Sequence, residues 1–299
     1  MHHLLIACPL AVVLFLTVGC RTTWAQEASG QQPANGSSDQ ETVKAWNAFY
    51  QSDAENAYRF VLQPGDIELR LDPTPILRWT NPLEQGDIHG AVYVWRKGGR
   101  PLVVGQLFSY LNNRGGRVYC HAVHSLARDG ERLTGSRDGK VFWTPDSPGV
   151  QMHDLPMAPA PAASRNLRLT QMKSFSRRFS AYTEEASRGK RNLRLLTTPL
   201  DRFPENALEE PDGALFSLVV GNDPEVILVL ETKNSAAEGE IWQYGLIQST
   251  RSTSVALLDD KEVWRYDANE KTASDRSSVY LSVHGIATLP LEAPRSPAD

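Results

Sequence analysis

The sequence predicts an α+β fold of two diverged repeats, each a helix followed by a curled antiparallel β-meander, packed as a pseudo-dimer. One observation is an internal period. At a constant shift of 123 residues, Gly90, Ala91, Gly98, Pro101 and Val103 fall on Gly213, Ala214, Gly221, Pro224 and Val226. Five identities in that ungapped fifteen-residue window compare with about one from background usage. A second observation is a helical apolar stripe ahead of each window, and a third is period-two alternation interrupted by glycine turns. At 299 residues, 41% hydrophobic and 22% charged, the chain has enough apolar material for such cores.

The elements follow in chain order. Leu4–Val18 is an apolar run broken by Pro9, too short for a membrane span and followed by small residues. It predicts a signal peptide over 1–25, cut after Thr23-Trp24-Ala25. A competing lipoprotein-type site ends at Gly19 and would leave Cys20 as the acylated residue. Export to the periplasm or the extracellular space follows, with the mature chain free or anchored through Cys20 and without a transmembrane helix. Residues 26–37 read as a flexible tether. Ser38 with Glu41 makes a capping-box pattern before a helix that runs to about residue 58, with Trp46, Tyr50, Ala54 and Tyr58 at helical spacing.

Strands are predicted at 67–71, 91–95, 101–110, 117–127 and 141–143, which makes 38–144 the first repeat. Five prolines between Pro145 and Pro161 mark 145–163 as a linker. The second repeat, 164–267, opens on a helix whose stripe is Leu169, Met172, Phe175, Phe179 and Tyr182, continues with a strand at 193–197, and repeats the meander over 213–267. A final strand and tail occupy 268–299. The shift of 123 also pairs Tyr119 with Trp242, and a shift of 122 pairs Phe142 with Trp264. Bulky aromatics recurring in register are expected to fill cores rather than to form a sugar-stacking surface.

The runs Leu77-Arg78-Trp79-Thr80-Asn81-Pro82, His89-Gly90-Ala91-Val92-Tyr93-Val94-Trp95, His124-Ser125-Leu126 and Asp212-Gly213-Ala214-Leu215-Phe216 resemble those of an uncharacterised family of exported proteins from planctomycete-type bacteria. The second helix and the run Leu193–Pro199 are similar too, so the resemblance covers most of the mature chain. It implies export and a shared architecture, and it carries over no activity, cofactor, partner or site residue.

The residues that could carry chemistry are few. His89, His121 and His124 are the metal-ligand candidates, with Cys120 adjacent and His153 in the linker. Strand geometry argues against them as a set. His121 and His124, three apart, face opposite sides, and His89 lies two strands from His121, on the order of 10 Å away. No metal and no cofactor is therefore expected. Ser125 cannot use its neighbour His124 as a base, and there is no Gly-x-Ser-x-Gly elbow or Walker loop, so no catalytic residue is assigned. Cys120, alone in the mature chain, reads as a small buried apolar residue.

The basic stretch 165–194 carries nine cations opposed only by Glu184 and Glu185, on a chain of net charge −4. Arg177, Arg178, Arg188, Lys190 and Arg191 are the anion-binding candidates, with an acidic polysaccharide or a phospholipid surface as partner. A helix face docked on the acidic remainder of its own chain explains the same residues. No nucleic-acid motif is present. The expected function is a non-enzymatic binding, structural or cell-envelope interaction module. The alternative is a hydrolase of envelope or extracellular polymer with its site near His89, His121 or His124.

Overall fold

The structure, a computed structural model, describes residues 35–81, 87–185, 187–204, 211–237, 239–268 and 274–292. The expected signal peptide, Cys20 and most of the tether lie outside them.

Alternation places the strands, but the two longest meanders are apolar on both faces and must therefore be covered on both. The first half of the chain contributes α1 (Asn35–Ala57), β1 (Tyr58–Gln63), β2 (Ile67–Glu68), β3 (Arg70–Leu71), β4 (Leu77–Asn81), β5 (Ile88–Lys97), β6 (Arg100–Leu111), β7 (Arg117–Ser125), β8 (Arg132–Arg137), β9 (Lys140–Trp143) and β10 (His153–Asp154). The second contributes α2 (Arg165–Ser176), β11 (Phe179–Glu185), β12 (Gly189–Asn192), β13 (Arg194–Leu195), β14 (Asp201–Phe203), β15 (Gly213–Val220), β16 (Asp223–Ser235), β17 (Gly239–Gln248), β18 (Thr253–Leu258), β19 (Lys261–Tyr266) and β20 (Tyr280–Leu289).

These strands form four antiparallel sheets. Two outer sheets have the orders β2-β1-β8-β9 and β12-β11-β18-β19. Two inner sheets have the orders β20-β7-β6-β5-β3 and β10-β17-β16-β15-β13, with β4 on β5 and β14 on β15. The expected α+β pseudo-dimer of helix-led meanders is therefore corrected. Among the described residues the protein is mostly β, 55% strand against 12% helix, in a four-bladed, propeller-like arrangement. The physical reason lies in the short strands. Each meander does not curl on itself. Its last hairpin (β8–β9 or β18–β19) departs to pair with the strand that directly follows the helix, creating a separate sheet. The helices are accessories that cover one edge of each inner-sheet face.

Three cores alternate with the sheets. Phe60, Leu62, Tyr93, Trp95, Tyr119 and Trp143 fill the space between the first outer and first inner sheets, under Trp46 and Tyr50 of α1. Val92, Val94, Val104 and Ala122 meet Leu215, Ile227, Val229 and Ile247 between the inner sheets. Phe216, Leu228, Trp242 and Ala256 lie between the second pair, under Met172 and Phe175 of α2. Both faces of β5 are thus buried, Tyr93 and Trp95 toward one core and Val92 and Val94 toward the other.

Ion pairs stitch the inner sheets together across the chain. Arg96 binds Asp201 at 2.7 Å, and Glu231, fully buried, takes Arg100 at 3.4 Å and Arg128 more closely.

The strands β10 and β20 cross over. β10, which follows the first meander, pairs with β17 of the second, while β20, which follows the second, pairs with β7 of the first. The stretch expected to be a bare proline linker therefore contains a strand. α1 starts at Asn35, ahead of the expected cap at Ser38, and ends at Ala57, so Tyr58 is the first residue of β1. α2 stops at Ser176, so Phe179 and Tyr182 belong to β11 rather than to the helical stripe.

The repeated glycines and prolines have local causes. Trp79 on β4 lies over Gly90, and Phe203 on β14 lies over Gly213; a Cβ there would sit 2.6 Å from Phe108 Cβ or from the Phe203 ring. Gly98 and Gly221 hold φ of 58° and 60° in the hairpin turns. Pro101 and Pro224 stand beside the register shifts at Trp95/Arg96 and Leu218/Val219, where a missing N–H breaks no regular ladder.

A tighter approach occurs at Gly149, where an added Cβ would lie 2.0 Å from the Ser125 carbonyl oxygen. Gly149→Ala is expected to cost about 3 kcal/mol, read as a lower denaturant midpoint with an unchanged slope.

Candidate functional site

The three histidines sit in two separate environments. His89 on β5 and His121 on β7 both face the first core, but β6 separates their strands. His124 faces the inner-sheet side, its ring 6.0 Å from Tyr280. Among the described residues no three His, Cys, Asp or Glu side chains gather as a metal would require.

Each histidine is held in a defined state. His89 Nδ1 is 3.0 Å from the Tyr50 hydroxyl, which also meets Ser109 Oγ at 2.7 Å; Arg117 donates to that Oγ and pairs with Asp87. Burial, then Arg117, lowers the His89 pKa to about 4. His124 Nδ1 donates to the Ser125 carbonyl at 2.7 Å, and burial lowers its pKa to about 4. Ser125 Oγ is wholly buried and accepts from Ala127 N, so it is not presented to any substrate. Cys120 is also enclosed, and burial raises its thiol to about 11.

His121 differs. The Tyr58 hydroxyl lies 2.8 Å from His121 Nδ1, and the Arg137 guanidinium sits 5.5 Å from the centre of the Tyr58 ring. With the Tyr58 hydroxyl donating to Nδ1, the neutral imidazole carries its proton on Nε2. Burial, then Arg137, lowers the His121 pKa to about 3 and keeps the ring neutral. Nε2 is buried and has no hydrogen-bond partner among the described residues, and neither does Arg137 Nε.

Both residues line a cleft of about 740 Å³ between β20 and the β8–β9 hairpin. Its apolar surface comes from Phe142, Leu281, Val283, Ile286 and Val141, the last of these 53% exposed. Its rim carries Lys140, Arg251 and Arg276. Arg137 is paired with Asp53 and Asp138, but no described carboxylate pairs with the three rim cations. A larger concavity of about 840 Å³ involves Arg128, Asp129, Lys233 and Glu240, charges of both signs that offset one another.

The basic residues singled out from the sequence are dispersed. Arg177 is the C-cap of α2 and Arg178 follows it, binding Asp259 at 2.6 Å. Arg188 lies 3.7 Å from Glu185, and the Lys190 ammonium sits 3.5 Å from the centre of the Tyr182 ring. Arg191, on β12, also has a partner. Trp79, Trp95, Trp143 and Trp242 are buried. By register Trp264, opposite Ala256, matches Trp143, opposite Gly135, rather than Phe142.

Arg137, Lys140, Arg251 and Arg276 were not singled out from the sequence as a group. They come from three separate segments and meet only because β20 crosses back to β7.

No family model, curated protein or solved structure matches this chain. No helix among the described residues is long and apolar enough to cross a membrane.

Proposed function

We propose that this chain is an exported, non-enzymatic binding module whose ligand seat is the cleft between β20 and the β8–β9 hairpin. The observation that carries this reading is the contrast between His89 and His124 and the cleft that His121 lines. His89, His124 and Ser125 are walled into filled cores, where no substrate reaches them. The cleft instead offers an open apolar surface, rim cations without a carboxylate partner among the described residues, and two buried nitrogens, His121 Nε2 and Arg137 Nε, with no partner there. Its volume lies in the range of small-molecule sites. The apolar run at Leu4–Val18 and the family resemblance support export.

A panel of envelope-derived sugars, lipids, peptides and esters, screened by thermal shift and for turnover, tests the reading. The expected result is a raised Tm with at least one class and no product from any. Turnover lost on replacing His89, His121 or His124 would sink it, as would a panel without a single stabilising ligand. Cytosolic fractionation of the full chain with Met1 intact would remove export.

A further inference from the structure

The two halves of the chain carry an internal control for this cleft. Ala91, Leu107 and His121 are paired across β5, β6 and β7, and Ala214, Leu230 and Tyr244 occupy the same register across β15, β16 and β17. Tyr58 stands opposite Arg137 as Phe179 stands opposite Leu258. The trio Tyr58, His121 and Arg137 is therefore replaced in the second half by Phe179, Tyr244 and Leu258, and the same strand order forms. There Phe179 and Tyr244 simply pack, ring centres 5.2 Å apart. Folding does not require this polar trio, and burying its polar atoms unpaired costs free energy. A ligand that accepts from His121 Nε2 and Arg137 Nε removes that cost.

We infer that the cleft binds a single-chain amphiphile with an acidic head, its carboxylate or phosphate taken by His121 Nε2, Arg137 and the rim arginines, its tail laid on Val141 and Phe142. The inference rests on the reading of this cleft as the ligand seat and names the ligand's class. Arg137 Nε is unpaired among the described residues, and Lys140, Arg251 and Arg276 stand on the rim, so the charged groups of the cleft select an acceptor anion. Val141 and Phe142 on β9 and Val283 and Ile286 on β20 line the same cleft, Phe142 with its ring 4.8 Å from that of His121, which gives a tail an apolar surface that a bare inorganic ion does not use.

Isothermal titration calorimetry of the purified protein tests it, with decanoate, decyl phosphate, decanol, decyltrimethylammonium and inorganic phosphate as probes, each below its micelle concentration. Decanoate or decyl phosphate is expected to bind one to one, at least tenfold more tightly than decanol, decyltrimethylammonium or inorganic phosphate. Comparison of the two acidic probes distinguishes a carboxylate from a phosphate head. Arg251→Gln plus Arg276→Gln, at positions outside the cores, is expected to weaken binding at least tenfold with an unchanged Tm. His121→Tyr, the residue used in the second half, is expected to weaken binding by a similar factor, and the arginine pair keeps the test decisive if that variant does not fold. Equal binding of decanol, tight binding of inorganic phosphate alone, or indifference to the arginine variant would each overturn the acidic amphiphile and leave the ligand seat standing. Absence of binding by every probe would also overturn it, while the ligand seat answers to its own panel.

Discussion

Replacing Glu231 with alanine is expected to lower the unfolding free energy by about 3–5 kcal/mol, the usual cost of removing one member of a buried ion pair. Glu231 is wholly buried on β16 at the junction of the inner sheets, and its carboxylate holds Arg100 at 3.4 Å. Arg100 is itself buried and gives another hydrogen bond to the Leu126 carbonyl, so it cannot turn out to water when its partner is lost. Arg128, 44% exposed, can do so. The loss is thus expected from the stranded Arg100 charge rather than from the number of broken contacts. Removing both charges, Arg100→Met with Glu231→Leu, should recover most of it, because an apolar pair leaves nothing unsolvated. Denaturant unfolding of the single and double variants checks this; equal losses in both would show that shape, not charge, holds the inner sheets together.

Acidification from pH 7 to 4.5 is expected to cost about 2 kcal/mol for each of His89, His121 and His124, about 6 kcal/mol together. All three are lowered by burial, to about 4, 3 and 4, from an unfolded value of 6.5. A depressed histidine is neutral in both states above 6.5, where its contribution is fully present. Below 6.5 the unfolded chain takes up protons that the folded chain refuses. Stability therefore falls as pH drops from 6.5 toward 3–4. Asp53 acts in the opposite direction, because burial raises its pKa and the folded state holds its proton more readily in acid. Three histidines outweigh one carboxylate, so the denaturant midpoint should fall steeply between pH 6.5 and 4.5. A flat profile across that interval would mean that the imidazoles are charged inside the fold.

How far the sequence could be read depended on whether a residue's role was local. Gly90 and Gly213 recur because an aromatic ring from the preceding strand lies over each, and Gly98 and Gly221 recur because the hairpin needs positive φ. Such causes act over a few residues and leave periodic marks. The choice of sheet left none. β1 and β8 pair residues 69 to 79 positions apart in the chain, and alternation alone is silent on which strand accepts a hairpin. The α+β expectation failed there. The histidines were readable as a dispersed set, since strand spacing separates β5 from β7. The cleft was not, because His121, Arg137, Arg251 and Arg276 are distant in sequence and the first of them is remarkable only for a nitrogen left without a partner.

The crossing of β10 and β20 ties these properties together. Each meander has its edge strand supplied by the opposite half, so neither half cut free would own a finished sheet. A single nick between β10 and α2 would leave two fragments still clasped by one another's tails. Such a molecule should resist stepwise fraying and come apart as one event. The same clasp builds the cleft wall from β20, so loss of the last strand would open an unsatisfied edge on β7 and erase the ligand seat in one stroke.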